Sequence, residues 1–131
     1  MNQPKILIVD DDSRISSLMR IILARIGYDV REENRSFAAL ATAQEFRPDL
    51  VLLDVDMPGK DGGMVAAELS SDPTIAGTPF IFVTSLVKGN EAGMRGAVRF
   101  VSKPVEPALL LAAVEEAISQ GAASVEAKNT R

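Results

Sequence analysis

Leu50, Val51, Leu52, Leu53, Asp54, Val55, Asp56, Met57, Pro58, Gly59, Lys60, Asp61, Gly62: four apolar residues run into a carboxylate and then into turn formers. A short, wholly apolar run bounded by turn residues suits a strand covered on both faces. A carboxylate where such a strand ends is held rigidly at a mouth that solvent and ligands reach. Outward from this stretch the pattern repeats. Residues 6–9 are apolar and end in Asp10, Asp11 and Asp12; residues 80–83 end in Thr84; residues 98–101 lead through Ser102 to Lys103 and Pro104; residues 28–31 form a fifth run.

Helical patterns separate these runs. Ile15, Leu18, Met19, Ile22 and Ile26 recur at spacings of three and four, with Asp12 and Ser13 as candidate caps and Gly27 as a stop. Phe37, Leu40 and Ala41 follow Ser36. Val65, Ala66 and Leu69 are closed by Asp72 and Pro73, and Leu110, Ala113, Val114 and Ala117 follow Pro107, a suitable first-turn proline. Strand and helix alternating five times, with right-handed crossovers, predict an α/β, doubly wound sheet with helices on both faces. Ligands bind such sheets beyond the carboxyl ends of the strands, where Asp10, Asp11, Asp54, Thr84 and Lys103 all fall.

The chain has 131 residues, a size for one domain, and residues 1–120 carry the pattern. Residues 121–131 turn small and polar and read as a flexible tail or the start of a linker. With 14 basic and 18 acidic residues the formal charge is −4, and no basic stripe argues for direct nucleic-acid binding. No apolar run approaches a membrane span, so a cytoplasmic protein is expected. Cysteine and histidine are both absent. Thiolate and imidazole chemistry are therefore excluded, and any metal must be held by oxygen.

Asp10, Asp11 and Asp54 brought together would repel one another, and a hard divalent cation such as Mg²⁺ is the natural neutraliser of an all-oxygen cluster. Asp12, and to a lesser degree Asp11, also suits capping of the first helix. Lys103, held extended before Pro104, can reach over the sheet edge, and Thr84 offers a hydroxyl there. Together these groups supply a nucleophile, a metal site and two ligands for phosphate oxygens, the inventory of electrostatic phosphoryl transfer.

On these residues the chain resembles a response-regulator receiver domain, the phosphoacceptor partner of a sensor histidine kinase in two-component signalling. The matched strings are Ile8, Val9, Asp10, Asp11; Leu53, Asp54 with Met57, Pro58, Asp61 and Gly62; Val83, Thr84, Ser85; and Lys103, Pro104. The resemblance implies a five-stranded parallel sheet of flavodoxin-like order 2-1-3-4-5. It implies Asp54 as the phosphorylated residue, Mg²⁺ held by Asp10, Asp11, Asp54 and the backbone carbonyl of Asp56, and Thr84 and Lys103 on the phosphoryl oxygens. It also implies a cis bond before Pro104. The donor would be a phosphohistidine on a kinase or phosphotransfer protein, and the chain would turn over no other substrate. Thr84 and Phe100 would act as the switch, repacking a surface around the fourth helix, fifth strand and fifth helix that meets an effector or a second copy.

Two departures from the family pattern bear on output. The stretch between Thr84 and Lys103 is short and carries Gly89, Gly93 and Gly96, each costing about 1 kcal/mol in a helix relative to alanine, so the fourth helix is expected to be short or irregular. By the resemblance, Asp56 and Leu86 fall at the positions that in the family tune loss of the phosphoryl group, and an apolar Leu86 cannot guide water, so a long-lived phosphoryl group is expected. A haloacid-dehalogenase-like phosphatase is the main competitor, since Asp54 and Asp56 approximate its two-aspartate motif, but there the motif precedes the acidic pair. A receiver-like scaffold that is never phosphorylated is the other. No effector domain follows, which suits a stand-alone receiver or a piece of a longer protein.

Overall fold

The computed structural model describes residues 3–85, 92–95 and 98–129. Strands β1 (Lys5–Val9), β2 (Asp29–Glu33), β3 (Leu50–Asp54), β4 (Phe80–Thr84), β5 (Ala92–Arg95) and β6 (Val98–Ser102) form one sheet in the order β2-β1-β3-β4-β6-β5. Five of them pair in parallel, in the predicted order 2-1-3-4-5 once β6 is counted as the fifth predicted strand. β5 is an addition, an antiparallel edge strand that places Gly93 opposite Phe100 and Arg95 opposite Val98.

Among the described residues four α-helices, α1 (Ser13–Ile26), α2 (Ala39–Phe46), α3 (Gly62–Ser71) and α4 (Pro107–Asn129), cover the sheet. The apolar strands bury alternate residues on opposite faces, as the pleat requires. Ile6, Ile8, Leu50, Leu52, Ile81, Val83 and Val101 meet Met19 and Leu23 of α1 and Leu110, Ala113, Val114 and Ala117 of α4. Leu7, Val9, Val51 and Leu53 meet Ala39, Ala43 and Phe46 of α2 and Val65, Ala66 and Leu69 of α3. Each fully buried Leu or Ile contributes about 1.5–3 kcal/mol by leaving water, so both layers hold the strand ends, and what they carry, in one frame.

Helix ends follow local chemistry. Asp12 caps α1, accepting from Arg14 N–H at 3.0 Å, and Gly27 closes it in the left-handed region, donating to the Ala24 carbonyl. Asp61 caps α3, accepting from Met64 N–H at 2.9 Å. The bond between Lys103 and Pro104 is cis, as the resemblance implies.

Two expectations need correction. The expected fourth helix falls partly on residues 86–91 and 96–97, outside the described residues, but Ala92–Arg95 is strand, not helix. A glycine-rich segment gains little from helical hydrogen bonding and finds a partner in the open edge of β6. Second, Phe37 and Ala41 do not belong to the buried stripe of the second helix. A 3₁₀ turn over Ser36–Ala38 rotates Phe37 outward to 73% exposure, and Ala39, Ala43 and Phe46 fill the core instead. Apart from these corrections, α4 continues through residues 121–129, a helical form that a tail or linker also takes, because alanine-rich sequence extends an already packed helix at little cost.

Candidate functional site

The carboxyl ends of β1, β3, β4 and β6 lie side by side, and each delivers a polar residue to the same edge. Asp10 follows β1, Asp54 and Thr84 end β3 and β4, and Lys103 follows β6. Register holds them level, since Asp54 pairs with Val83 and Thr84 with Ser102. Backbone rungs continue past the strand ends: Asp10 N–H donates to the Glu33 carbonyl at 3.2 Å, Val55 N–H to Val83 at 3.2 Å and Lys103 N–H to Thr84 at 2.8 Å.

Carboxylate oxygens of Asp10, Asp11 and Asp54 lie within 4.8 Å of one another. Asp10 is fully buried and Asp54 is 3% exposed, while Asp11 stands open to solvent. Lys103 Nζ donates to Asp54 Oδ1 at 2.9 Å and lies 3.4 Å from Asp10 Oδ2. Asp54 Oδ1 also accepts from Asp56 N–H at 3.2 Å, and Asp10 Oδ1 accepts from Asp12 N–H at 2.9 Å. Asp10 Oδ2 accepts no hydrogen bond although it is buried.

These surroundings shift ionisation. Burial first, and then the Asp10 charge, push the Asp54 carboxyl above its ordinary range, against the pull of Lys103 and the Asp56 amide. Asp11 is raised by burial and by Asp54. For Lys103, burial opposes the charge, but the two carboxylates outweigh it and hold the ammonium above its ordinary value. One cation thus faces three carboxylates, and the set is short of positive charge. A buried carboxylate oxygen that has only the Lys103 ammonium at 3.4 Å and no hydrogen bond, in an all-oxygen cluster, fits a hard divalent cation.

Thr84 and Phe100 are both buried, Thr84 at this edge and Phe100 inside β6 opposite Phe82. Asp56 is exposed beside Asp54, and Leu86 lies outside the described residues. Two contributors were not read from the sequence as site residues. Gly62 packs so closely under β3 that a Cβ there would lie 2.5 Å from the Asp54 carbonyl oxygen; its glycine at the start of a helix was the available signal. Asn34 donates from its side chain to the Asp10 carbonyl at 2.7 Å, a contact across 24 residues with no local signature.

The family model for the response regulator receiver domain matches residues 6–115. The chain belongs to that family. This receiver domain is 35% identical over 117 residues to the DNA-binding dual master transcriptional regulator RpaA of Synechocystis sp., covering 85% of this chain and 47% of RpaA. It is 37% identical over 111 residues to the transcriptional regulatory protein ResD of Bacillus subtilis, covering 81% of this chain and 44% of ResD. The receiver domain therefore spans about half the length of these regulators. Among solved structures, the chemotaxis response regulator CheY4 of Vibrio cholerae superposes with a TM-score of 0.77 at 28% identity, covering 88% of this chain and 99% of CheY4. NtrX of Brucella abortus gives 0.84 at 26% identity, covering 99% of this chain and 30% of NtrX. Receiver domains of this family serve two-component signalling and pair with histidine kinases, and membership sets aside the phosphatase fold as a competitor. Among the described residues no helix is long and apolar enough to cross a membrane.

Proposed function

We propose that Asp54 is the phosphoacceptor of this receiver domain, with Lys103 and Thr84 as ligands of the phosphoryl oxygens. The observation that carries the reading is the 2.9 Å contact from Lys103 Nζ to Asp54 Oδ1 beside an Asp10 oxygen that accepts no hydrogen bond. Asp10, Asp11, Asp54 and the backbone carbonyl of Asp56 would hold Mg²⁺. That ion, when bound, supplies neutralising charge for the oxygens of the incoming phosphoryl group.

The remaining steps belong to the chain. An Asp54 carboxylate oxygen attacks phosphorus of a partner phosphohistidine, the oxygen–phosphorus bond forms, the nitrogen–phosphorus bond breaks, and the imidazole leaves. Lys103 passes from Asp54 to the new phosphoryl oxygens, and Thr84 donates its hydroxyl to another. Water later attacks phosphorus and releases phosphate and the free carboxylate, so the chain turns over no substrate beyond its own acyl phosphate. Leu86 offers no group to orient that water and Asp56 repels anions, which favours a long-lived mark.

Thr84 and Phe100 form the switch in this reading. Phe100 lacks the hydroxyl of a tyrosine and reports by packing alone, to a face built from β5, β6 and α4 that meets an effector or a second copy of the chain. The absence of direct nucleic-acid binding by this domain, supported by the −4 charge, and a cytoplasmic location complete the proposal. Incubation with acetyl phosphate and Mg²⁺ followed by intact mass measurement tests it. One phosphoryl group is expected on the wild type and none on Asp54→Asn; labelling that survives Asp54→Asn overturns the assignment. Phosphotransfer from a panel of phosphorylated kinases then identifies the donor.

A further inference from the structure

In a parallel sheet alternate residues of a strand bond to a given neighbour, each donating to one residue there and accepting from another two positions on. Asp10 N–H donates to the Glu33 carbonyl, so a regular ladder would bring Arg35 N–H to the Asp10 carbonyl. It does not arrive, because Arg35 N–H donates to Glu33 Oε2 at 3.0 Å as the chain peels into the 3₁₀ turn. In its place Asn34 Nδ2 donates to the Asp10 carbonyl at 2.7 Å. The side chain of Asn34 therefore supplies the rung that the backbone withdraws.

That side chain is itself held. Its amide nitrogen also donates to Ser16 Oγ at 2.9 Å, so both amide hydrogens are committed. Fully buried Ser16 donates its hydroxyl to Glu32 Oε1 at 2.6 Å in preference to the more distant Ser13 carbonyl at 3.3 Å, which leaves a lone pair facing Asn34. Glu32 accepts in addition from Ser17 at 3.1 Å and from Arg20 Nε at 2.5 Å. Polarity along this chain is fixed: an anchored carboxylate orients a hydroxyl, the hydroxyl orients an amide, and the amide orients the Asp10 peptide. From that peptide the Asp10 and Asp11 carboxylates hang.

We propose that Asn34, locked by Ser16 and Glu32, is a positioning residue for the divalent-cation site, acting through the Asp10 backbone and touching neither ion nor phosphoryl group. This rests on the reading of Asp10, Asp11 and Asp54 as cation ligands. Partners that orient metal ligands typically change affinity by about 10–100-fold when removed.

Mg²⁺ binding measured by titration calorimetry without any phosphodonor tests it, alongside urea unfolding in EDTA. Wild type binds and Asp10→Asn does not; a wild type that binds no Mg²⁺ overturns the cation reading and this proposal with it. Asn34→Ala, folded by its EDTA unfolding curve, is expected to bind about tenfold more weakly, and Ser16→Ala and Glu32→Gln to fall between it and wild type. Wild-type affinity in folded Asn34→Ala overturns the positioning role, because a purely structural residue lowers the unfolding midpoint and leaves the affinity of the folded protein alone. Should Asn34→Ala fail to fold, unchanged affinity in Ser16→Ala and Glu32→Gln overturns it equally.

Discussion

Gly62→Ala is the substitution whose effect on Asp54 can be worked from distances. A Cβ at position 62 would lie 2.5 Å from the Asp54 carbonyl oxygen, 3.0 Å from Val55 Cα and 3.1 Å from the Asp54 carbonyl carbon. Ordinary contact begins near 3.4 Å, so the end of β3 and the start of α3 must separate by about 0.9 Å, and close-packed interiors resist such shifts. α3 cannot easily retreat. Asp61 caps it, Gly62 N–H donates to the Val55 carbonyl at 3.1 Å, and Val65, Ala66 and Leu69 are buried against the sheet. Much of the displacement therefore falls on Asp54 and Val55, whose backbone aims the proposed acceptor carboxylate. Overpacking of this kind costs about 1–3 kcal/mol, and a misplacement of roughly 1 Å at a reacting group costs on the order of a hundredfold in rate. Time courses of acetyl phosphate labelling with Mg²⁺, together with urea unfolding, measure both. Gly77→Ala, whose Cβ would meet nothing within 4 Å, is the control that should leave both unchanged. Wild-type labelling and stability in Gly62→Ala would refute the claim that α3 is pressed against the Asp54 peptide.

Two further outcomes follow from the charges. Lys103→Met leaves the buried Asp10 and Asp54 carboxylates without their cation, and breaking such a pair is expected to cost about 3–5 kcal/mol in EDTA; added Mg²⁺ should restore more stability to the variant than it adds to wild type, and an unchanged urea midpoint in EDTA would count against the pairing. For Glu32, burial raises the carboxyl, but hydrogen bonds from Ser16, Arg20 and Ser17 outweigh it and set the folded value below the ordinary 4.5. Its stabilisation is therefore present above about pH 4.5 and lost as pH falls through the lower folded value, so Glu32→Gln should be less stable at neutral pH yet lose less on acidification, read from urea midpoints at stepped pH.

How far the sequence discloses this molecule depends on the range of the interactions involved. Strands β1, β3 and β4 were legible because a strand covered on both faces must be apolar throughout, and a polar residue at its end stands out. Asp10, Asp54, Thr84 and Lys103 were found by that rule, and the acidic cluster follows from parallel order. Sites of close approach were not legible. Gly62 looked like a turn glycine, and only the packed backbone reveals what a methyl group would meet. The Asn34, Ser16 and Glu32 chain joins three segments through single hydrogen bonds, and none of those residues departs from ordinary local pattern. β5 escaped because Ala92, Gly93, Met94 and Arg95 carry neither alternation nor β-branched residues, so pairing with β6, not propensity, makes the strand. In α4 the apolar repeat stops near residue 120 while the helix runs on, since a helix anchored by Leu110 and Val114 needs only good helix formers to continue.

β5 has one neighbour, β6, among the described residues, and it is four residues long. A short edge strand opens by local fluctuation well before the whole domain unfolds, so its amide hydrogens exchange with solvent on a timescale set by that opening. Phe100 stands in β6 between Gly93 on one side and Phe82 on the other. Any tightening or loosening of Phe100 therefore changes the protection of the β5 amides through shared rungs, with no side chain at Gly93 to absorb it. Under the proposed switch, in which Phe100 repacks when Asp54 is phosphorylated, the far margin of the sheet becomes a kinetic gauge of the acidic edge, legible as exchange rates.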